Sequence, residues 1–218
     1  MKRTGKTNKE SSFIHFFTSL DTVTKVLLSL NLIAYVLVVI DYGFDAIFGL
    51  DVEQLLNIGG VTGESPLITL LFSMFVHYSL MHFLVNMVIL ILLSRTVQSN
   101  FTPMTYLCVY LLSGMIGNLI TREFNPNVVS LGASGCIYGL IGLLLICSLS
   151  KRKYPYLNDM FMFIFVTAVV FVVSTFFSPM TNQISHIVGL VIGGISGVIA
   201  LIFKLEVIRT DGFEAEDR

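Results

Sequence analysis

Six long apolar stretches constrain the fold of this chain more than any other feature. A helix needs about 20 mostly apolar residues to cross the hydrocarbon core of a bilayer. The stretches are approximately 23–40, 79–97, 104–121, 134–149, 160–178 and 184–203. Charged residues make up 12% of the 218 residues, about half the share in a soluble domain, and the mean hydropathy is +0.84. The sequence therefore predicts an all-α, polytopic membrane protein with six transmembrane helices.

The distribution of charge predicts how these helices are oriented. Basic residues precede the first stretch and follow the fourth and the sixth: Lys2, Arg3, Lys6, Lys9, Lys151, Arg152, Lys153, Lys204 and Arg209. The connection 41–66 carries carboxylates but neither Lys nor Arg. Since cytoplasmic segments are enriched in Lys and Arg, we expect a cytoplasmic tail at 1–21, a membrane domain at 22–204 and a second cytoplasmic tail at 205–218.

The first connection, 41–76, is too long for a simple turn. It contains apolar pieces between its carboxylates, which predicts short helices associated with the outer leaflet. The first apolar stretch is followed by no small-residue cleavage site, so we expect it to be a retained helix.

Polar residues inside the apolar stretches are costly and mark candidate functional sites. The predicted topology places the beginnings of the second, fourth and sixth stretches on the outer side. His82, Ser134 and His186 therefore share a similar depth at about 1.5 Å of rise per residue. Asn86 follows His82 by four residues, so both lie on one helix face. Glycines repeat along the fourth and sixth stretches, which allows two helices to pack closely: Gly135, Gly139, Gly142, Gly189, Gly193 and Gly197.

This pattern is typical of nucleophilic catalysis by a serine. Ser134 lies in the segment LGASGCIY, residues 131–138, and His186 is a candidate base within reach. No Asp or Glu lies in the second, fourth or sixth stretch, which favours a Ser–His dyad over a triad. We expect the backbone N–H of Ser134 and the side chains of His82 and Asn86 to bind an oxyanion. Stacking on Tyr138 is one way to orient the histidine.

Other interpretations of the same residues exist. Gly-x-Ser-Gly also occurs as a helix cap, and histidines at span boundaries are often interfacial residues. His77, His82 and His186 could bind zinc, but no acidic or cysteine ligand lies beside them in the sequence. We expect no metal or cofactor, and the net charge of −1 gives no sign of a nucleic-acid partner. A non-catalytic protein that binds membrane proteins and a small transporter are the alternatives.

Four ordered motifs resemble those of rhomboid intramembrane serine proteases. The motifs are His77-x4-His82-x3-Asn86, Tyr110-Leu-Leu-Ser-Gly114 with Gly117 and Asn118, Gly132-Ala-Ser134-Gly135 with Tyr138 and Gly142, and Ser185-His186-x-x-Gly189. The resemblance covers about 65–200. It implies a six-helix core with a long membrane-associated first loop, and hydrolysis of membrane-anchored protein substrates near the extracytoplasmic face, in the plasma membrane of a bacterium.

The resemblance also implies a role for each matching residue. Ser134 corresponds to the nucleophile and His186 to the base, while His82 and Asn86 lie around the oxyanion. The supporting positions are Gly132, Gly135, Tyr138, His77 and Gly189.

The chain departs from the family pattern in its first loop. Many members carry a Trp-Arg or Tyr-Arg pair there, whereas residues 64–69 read ESPLIT and the chain contains no tryptophan. How the loop is anchored cannot be carried over from the family.

The fifth stretch, 160–178, is rich in Phe and Val and is a candidate for a mobile gate.

Overall fold

The computed structural model of the chain describes residues 18–177 and 182–203, and most of them are helical. Its six long helices are α1 (Thr22–Tyr42), α2 (Leu80–Gln98), α3 (Pro103–Phe124), α4 (Ser134–Ser148), α5 (Phe161–Phe177) and α6 (Gln183–Phe203). The prediction of an all-α bundle is confirmed, and the helix ends agree with the apolar stretches to within a turn. Ser178 and most of the two predicted tails lie outside the described residues.

Capping side chains explain where the first three helices begin. The Asp21 side chain accepts a hydrogen bond from the backbone of Thr24 at the start of α1. At the start of α2, Ser79 accepts from the backbone N–H of His82. Thr102 caps α3, whose first residue is a proline. Each cap satisfies a backbone donor that has no partner within the helix, and the second cap places His82 in the first turn of α2.

The six helices differ in length and in how far protein surrounds them. Four of them, α1, α2, α3 and α6, are long and apolar enough to cross a membrane. The helix α4 has 15 residues and α5 has 17. Twelve residues of α4 are buried, because α2, α3, α5 and α6 all pack against it. This short helix is surrounded by protein, while large apolar side chains of α1, α5 and α6 face outward. The chain is an integral membrane protein.

Glycines set the close approach of α4 and α6. A Cβ atom added at Gly189 would collide with the carbonyl oxygen of Gly135, and one added at Gly193 would collide with that of Gly139. Backbone therefore packs on backbone along this interface, as the small-residue spacing predicted. This contact fixes the relative depth of the two helices and brings their first turns side by side.

The first loop contains three short helices, Asp45–Phe48, Val52–Asn57 and Thr69–Phe72, and a 3-10 turn at Ser73–Phe75. The prediction of short helices in this connection is thus confirmed.

Backbone hydrogen bonds attach the loop to the segment before α4. Val61 and Ser130 exchange two hydrogen bonds of 2.9 Å. The backbone N–H of Gly63 donates to the carbonyl of Pro126 at 3.0 Å, and Arg122 Nε donates to the carbonyl of Gly63 at 3.3 Å. These bonds anchor the loop in a chain that lacks the Trp-Arg pair.

Candidate active site

Ser134 and His186 are hydrogen-bonded to each other. Ser134 is the first residue of α4 and His186 lies in the first turn of α6. The distance from Ser134 Oγ to His186 Nε2 is 2.7 Å. This is the geometry in which a histidine can take the proton of a serine that attacks a carbonyl. The glycine contact one turn below His186 holds the two residues at this separation.

Two side chains hold the imidazole ring of His186. The ring of Tyr138 stacks on it, with centroids 4.3 Å apart and planes inclined by 17°. The other ring nitrogen, Nδ1, lies 3.0 Å from Thr175 Oγ1. Tyr138 was among the sequence candidates, whereas Thr175 was not. The helix α5 has large apolar residues on every face and three hydroxyl residues, Thr167, Ser174 and Thr175, so its sequence does not single out the face that meets α6.

Thr175 belongs to a small buried network on α5. Its hydroxyl lies 3.1 Å from the carbonyl oxygen of Phe171, one turn earlier. The hydroxyl of Tyr138 is within hydrogen-bond distance of both that carbonyl and Thr175 Oγ1. Three helices, α4, α5 and α6, therefore meet behind the imidazole ring.

His82 and Asn86 line the same cavity as Ser134 and His186. The cavity has a volume of about 580 Å³. Asn86 is buried, and one hydrogen of its amide binds the carbonyl of His82 at 2.8 Å. The other hydrogen of this amide remains for a group inside the cavity. Both side chains can thus act as donors next to the serine.

Gly132 makes room for the His82 ring. Its φ is +105°, a conformation that favours glycine, and an added Cβ would lie 2.6 Å from His82 Cε1. The N–H of Gly132 donates to the carbonyl of Ser73 at 2.8 Å, which holds the segment before α4 against the first loop.

His77 supports the site from behind. Its side chain is buried and packs edge-on against the rings of His82 and Phe83, at centroid distances of 5.0 and 5.5 Å. It is not among the described residues that line the cavity. Burial, followed by the neighbouring His82, lowers the pKa of His77 well below its ordinary value. The ring is therefore neutral at neutral pH and helps to fix His82.

A second polar network fixes the beginnings of α4 and α6, and the sequence candidates did not include it. The amide of Asn182 donates to Ser130 Oγ at 2.6 Å and to Thr121 Oγ1 at 2.9 Å. Its oxygen accepts from the backbone N–H of Ser185 at 3.1 Å, so Asn182 caps the first turn of α6. Ser130 Oγ donates in turn to Asn118 Oδ1 at 2.7 Å. The position of Asn182 just before the sixth apolar stretch is the sequence signal that could have predicted this cap.

The cavity is lined by polar groups, including those around Ser134, and by apolar side chains. Met81 and Val85 of α2 line one side, while Val170 and Phe171 of α5 line the other. Such a cavity can accept an apolar polypeptide segment and present its backbone carbonyl to Ser134.

The chain is similar to known proteins of one family. Residues 64–203 match the family model of the Rhomboid domain. The chain is 27% identical to "RHOMBOID-like protein 1" of Arabidopsis thaliana over 67% of this chain and 38% of that protein. It is 25% identical to "Rhomboid-like protease 5" of Toxoplasma gondii over 78% of this chain and 20% of that protein. It is also 32% identical to "Inactive RHOMBOID-like protein 8" of Arabidopsis thaliana over 35% of this chain and 22% of that protein.

The matched part amounts to less than half the length of each of these relatives. The family match spans more than half of this chain, and it covers Ser134 and His186 as well as five of the six long helices. The chain therefore belongs to the rhomboid family.

Proposed function

We propose that this protein is an intramembrane serine endopeptidase that hydrolyses peptide bonds in or near transmembrane segments of other membrane proteins. The observation that carries the proposal is the 2.7 Å contact between Ser134 Oγ and His186 Nε2, in a cavity lined by polar groups and apolar side chains. A serine paired with a base is the arrangement that acyl transfer requires.

In the proposed reaction, Ser134 Oγ attacks the carbonyl carbon of the scissile bond while His186 Nε2 takes the hydroxyl proton. The resulting tetrahedral intermediate collapses when the C–N bond breaks, and His186 gives its proton to the leaving amine. A water molecule then attacks the acyl-enzyme, with His186 as the base again. The C–Oγ bond then breaks, His186 gives the proton taken from water to Ser134 Oγ, and the second product leaves as a carboxylic acid.

The intermediate carries a negative oxygen that needs donors already in place. The backbone N–H of Ser134 is available because it lies at the beginning of α4, where backbone donors have no partner within the helix. The free amide hydrogen of Asn86 and the ring of His82 are the side-chain donors that line the cavity. We assign all three to the oxyanion.

Charge supports an orientation for the protein. The basic residues flanking the membrane domain favour cytoplasmic termini, with tails at 1–21 and 205–218 around a protease domain at 22–204. Ser134 then opens toward the extracytoplasmic side. The proposed location, the plasma membrane of a bacterium, is an expectation from the family resemblance.

The test is cleavage of a single-span reporter protein in liposomes by the wild type, Ser134→Ala and Ser29→Ala. Ser29 is exposed on α1, and its hydroxyl only binds the carbonyl of Lys25 at 2.8 Å. We expect the wild type and Ser29→Ala to cleave equally and Ser134→Ala to produce no fragment. Equal cleavage by all three proteins would refute Ser134 as the nucleophile, and absence of cleavage by the wild type would favour a non-catalytic binding protein.

A further inference from the structure

Thr175 is a buried hydroxyl on a mostly apolar helix, whose other hydroxyls are those of Thr167 and Ser174. Its side chain is 3% exposed, while α5 presents large apolar residues outward on other faces. A buried polar group costs free energy unless it is hydrogen-bonded. Thr175 Oγ1 makes such a bond with Nδ1 of His186 at 3.0 Å, on the opposite side of the ring from Ser134.

The position of one hydrogen atom decides whether His186 can act as a base. A neutral imidazole carries a hydrogen on only one of its two nitrogens. Since Nε2 must accept the hydrogen of Ser134, Nδ1 has to carry the ring hydrogen and donate it to an acceptor. In many serine hydrolases a carboxylate is this acceptor. The helices α2, α4 and α6 of this chain contain neither Asp nor Glu.

The surroundings of Thr175 direct its own hydrogen away from His186. A threonine in a helix commonly donates to the carbonyl four residues earlier, here that of Phe171 at 3.1 Å. The hydroxyl of Tyr138 also lies against this carbonyl. When Thr175 donates its hydrogen to this carbonyl, its oxygen keeps two lone pairs. One of them is available to the N–H of His186 even when the hydroxyl of Tyr138 donates to the other.

We propose that Thr175 is a positioning residue that keeps the hydrogen of His186 on Nδ1 and so makes Nε2 the base. The hydrogen bond itself does not depend on the proposed function; the role of Nε2 as a catalytic base does. The nucleophile and the histidine belong to α4 and α6, whereas their positioning residue belongs to α5. Packing of α5 against α4 and α6 therefore places the Thr175 hydroxyl next to Nδ1 of His186.

Matched threonine variants separate the hydrogen bond from the shape of the side chain. Thr175→Val replaces the hydroxyl with a methyl group of similar size, and Thr175→Ser keeps the hydroxyl. Thr167→Val is the control, because Thr167 lies two turns earlier on α5, is only partly buried, and binds only the carbonyl of Phe163 at 2.8 Å. We expect Thr175→Val to lower kcat on the order of 10- to 100-fold with little change in KM. Thr175→Ser and Thr167→Val should resemble the wild type.

A second measurement reports on the hydrogen itself and needs no substrate. In ¹⁵N NMR of histidine-labelled protein in liposomes, the His186 signals are assigned by comparison with His186→Ala. We expect Nδ1 to be protonated in the wild type, in Thr175→Ser and in Thr167→Val, and the proton to be redistributed between the two nitrogens in Thr175→Val. An unchanged tautomer in Thr175→Val would overturn the proposal.

The two measurements also separate this inference from the proposed function. A wild type that does not cleave, with a Thr175-dependent tautomer, would reject the protease and support the role of Thr175. Cleavage that depends on Ser134 but is unaffected in Thr175→Val would overturn only the role of Thr175, as would equal losses in Thr175→Ser and Thr175→Val.

Discussion

The substitution Gly189→Ala tests whether glycine packing holds the dyad together. The added Cβ would collide with the carbonyl oxygen of Gly135, the residue that follows Ser134. Both sides of this contact are backbone, so no side-chain rotation can relieve it. The helices α4 and α6 must move apart next to the site.

The size of the expected effect follows from the contact distances. We estimate a separation on the order of 1 Å to bring the new Cβ and the oxygen back to van der Waals contact. The Ser134–His186 distance would then increase from 2.7 Å to about 3.7 Å, beyond the range of a hydrogen bond. Misplacement by about 1 Å lowers catalytic rates on the order of 100-fold. Overpacking also destabilises the protein by about 1–3 kcal/mol.

Gly194→Ala provides the control on the same helix. A Cβ at this position would meet only Cγ1 of Ile146, at the ordinary contact distance of 3.7 Å. Initial rates of reporter cleavage and thermal unfolding in detergent are compared for both variants and the wild type. We expect a large loss of rate for Gly189→Ala, with a folded protein, and none for Gly194→Ala. Equal rates for the two alanine variants would refute the argument that this contact sets the dyad geometry.

Three further substitutions test the surroundings of the dyad. Asn86→Ala should lower turnover on the order of 100-fold because an oxyanion donor is lost; an unchanged initial rate would remove Asn86 from the site. Gly132→Ala should lower both turnover and the melting temperature, since alanine is strained at a φ of +105° and its Cβ meets His82; wild-type values of both would contradict the packing described here. Asn182→Ala should lower the free energy of unfolding by about 1–3 kcal/mol, because it leaves buried polar partners unsatisfied; unchanged denaturation curves would show that its network contributes no stability.

The sequence was sufficient to predict the six long helices and the relative depth of Ser134 and His186. A backbone in lipid must satisfy its own hydrogen bonds, so an apolar stretch of spanning length forms a helix. Successive helices cross the membrane in opposite directions, which determines which helix ends lie on the same side. The glycine rows then indicated which two helices approach closely. These inferences depend on composition and spacing, which the sequence displays directly.

The rotation of α5 could not be predicted. Phe and Val lie on every face of this helix, and its hydroxyls belong to Thr167, Ser174 and Thr175, so the apolar pattern does not single out the residue that faces His186. Thr175 reaches the imidazole only because side-chain packing in three dimensions selects one face. The attachment of the first loop was likewise hidden, since backbone hydrogen bonds such as those between Val61 and Ser130 leave no mark on residue type.

The most direct test of the Ser134–His186 dyad is mass spectrometry of the protein after reaction with a fluorophosphonate probe. The probe phosphonylates a serine only when a base activates it. We predict one modified serine, Ser134, in the wild type and no modification in His186→Ala, with both proteins shown to be folded by thermal unfolding. Modification of another serine, or equal modification of Ser134 without His186, would contradict the dyad.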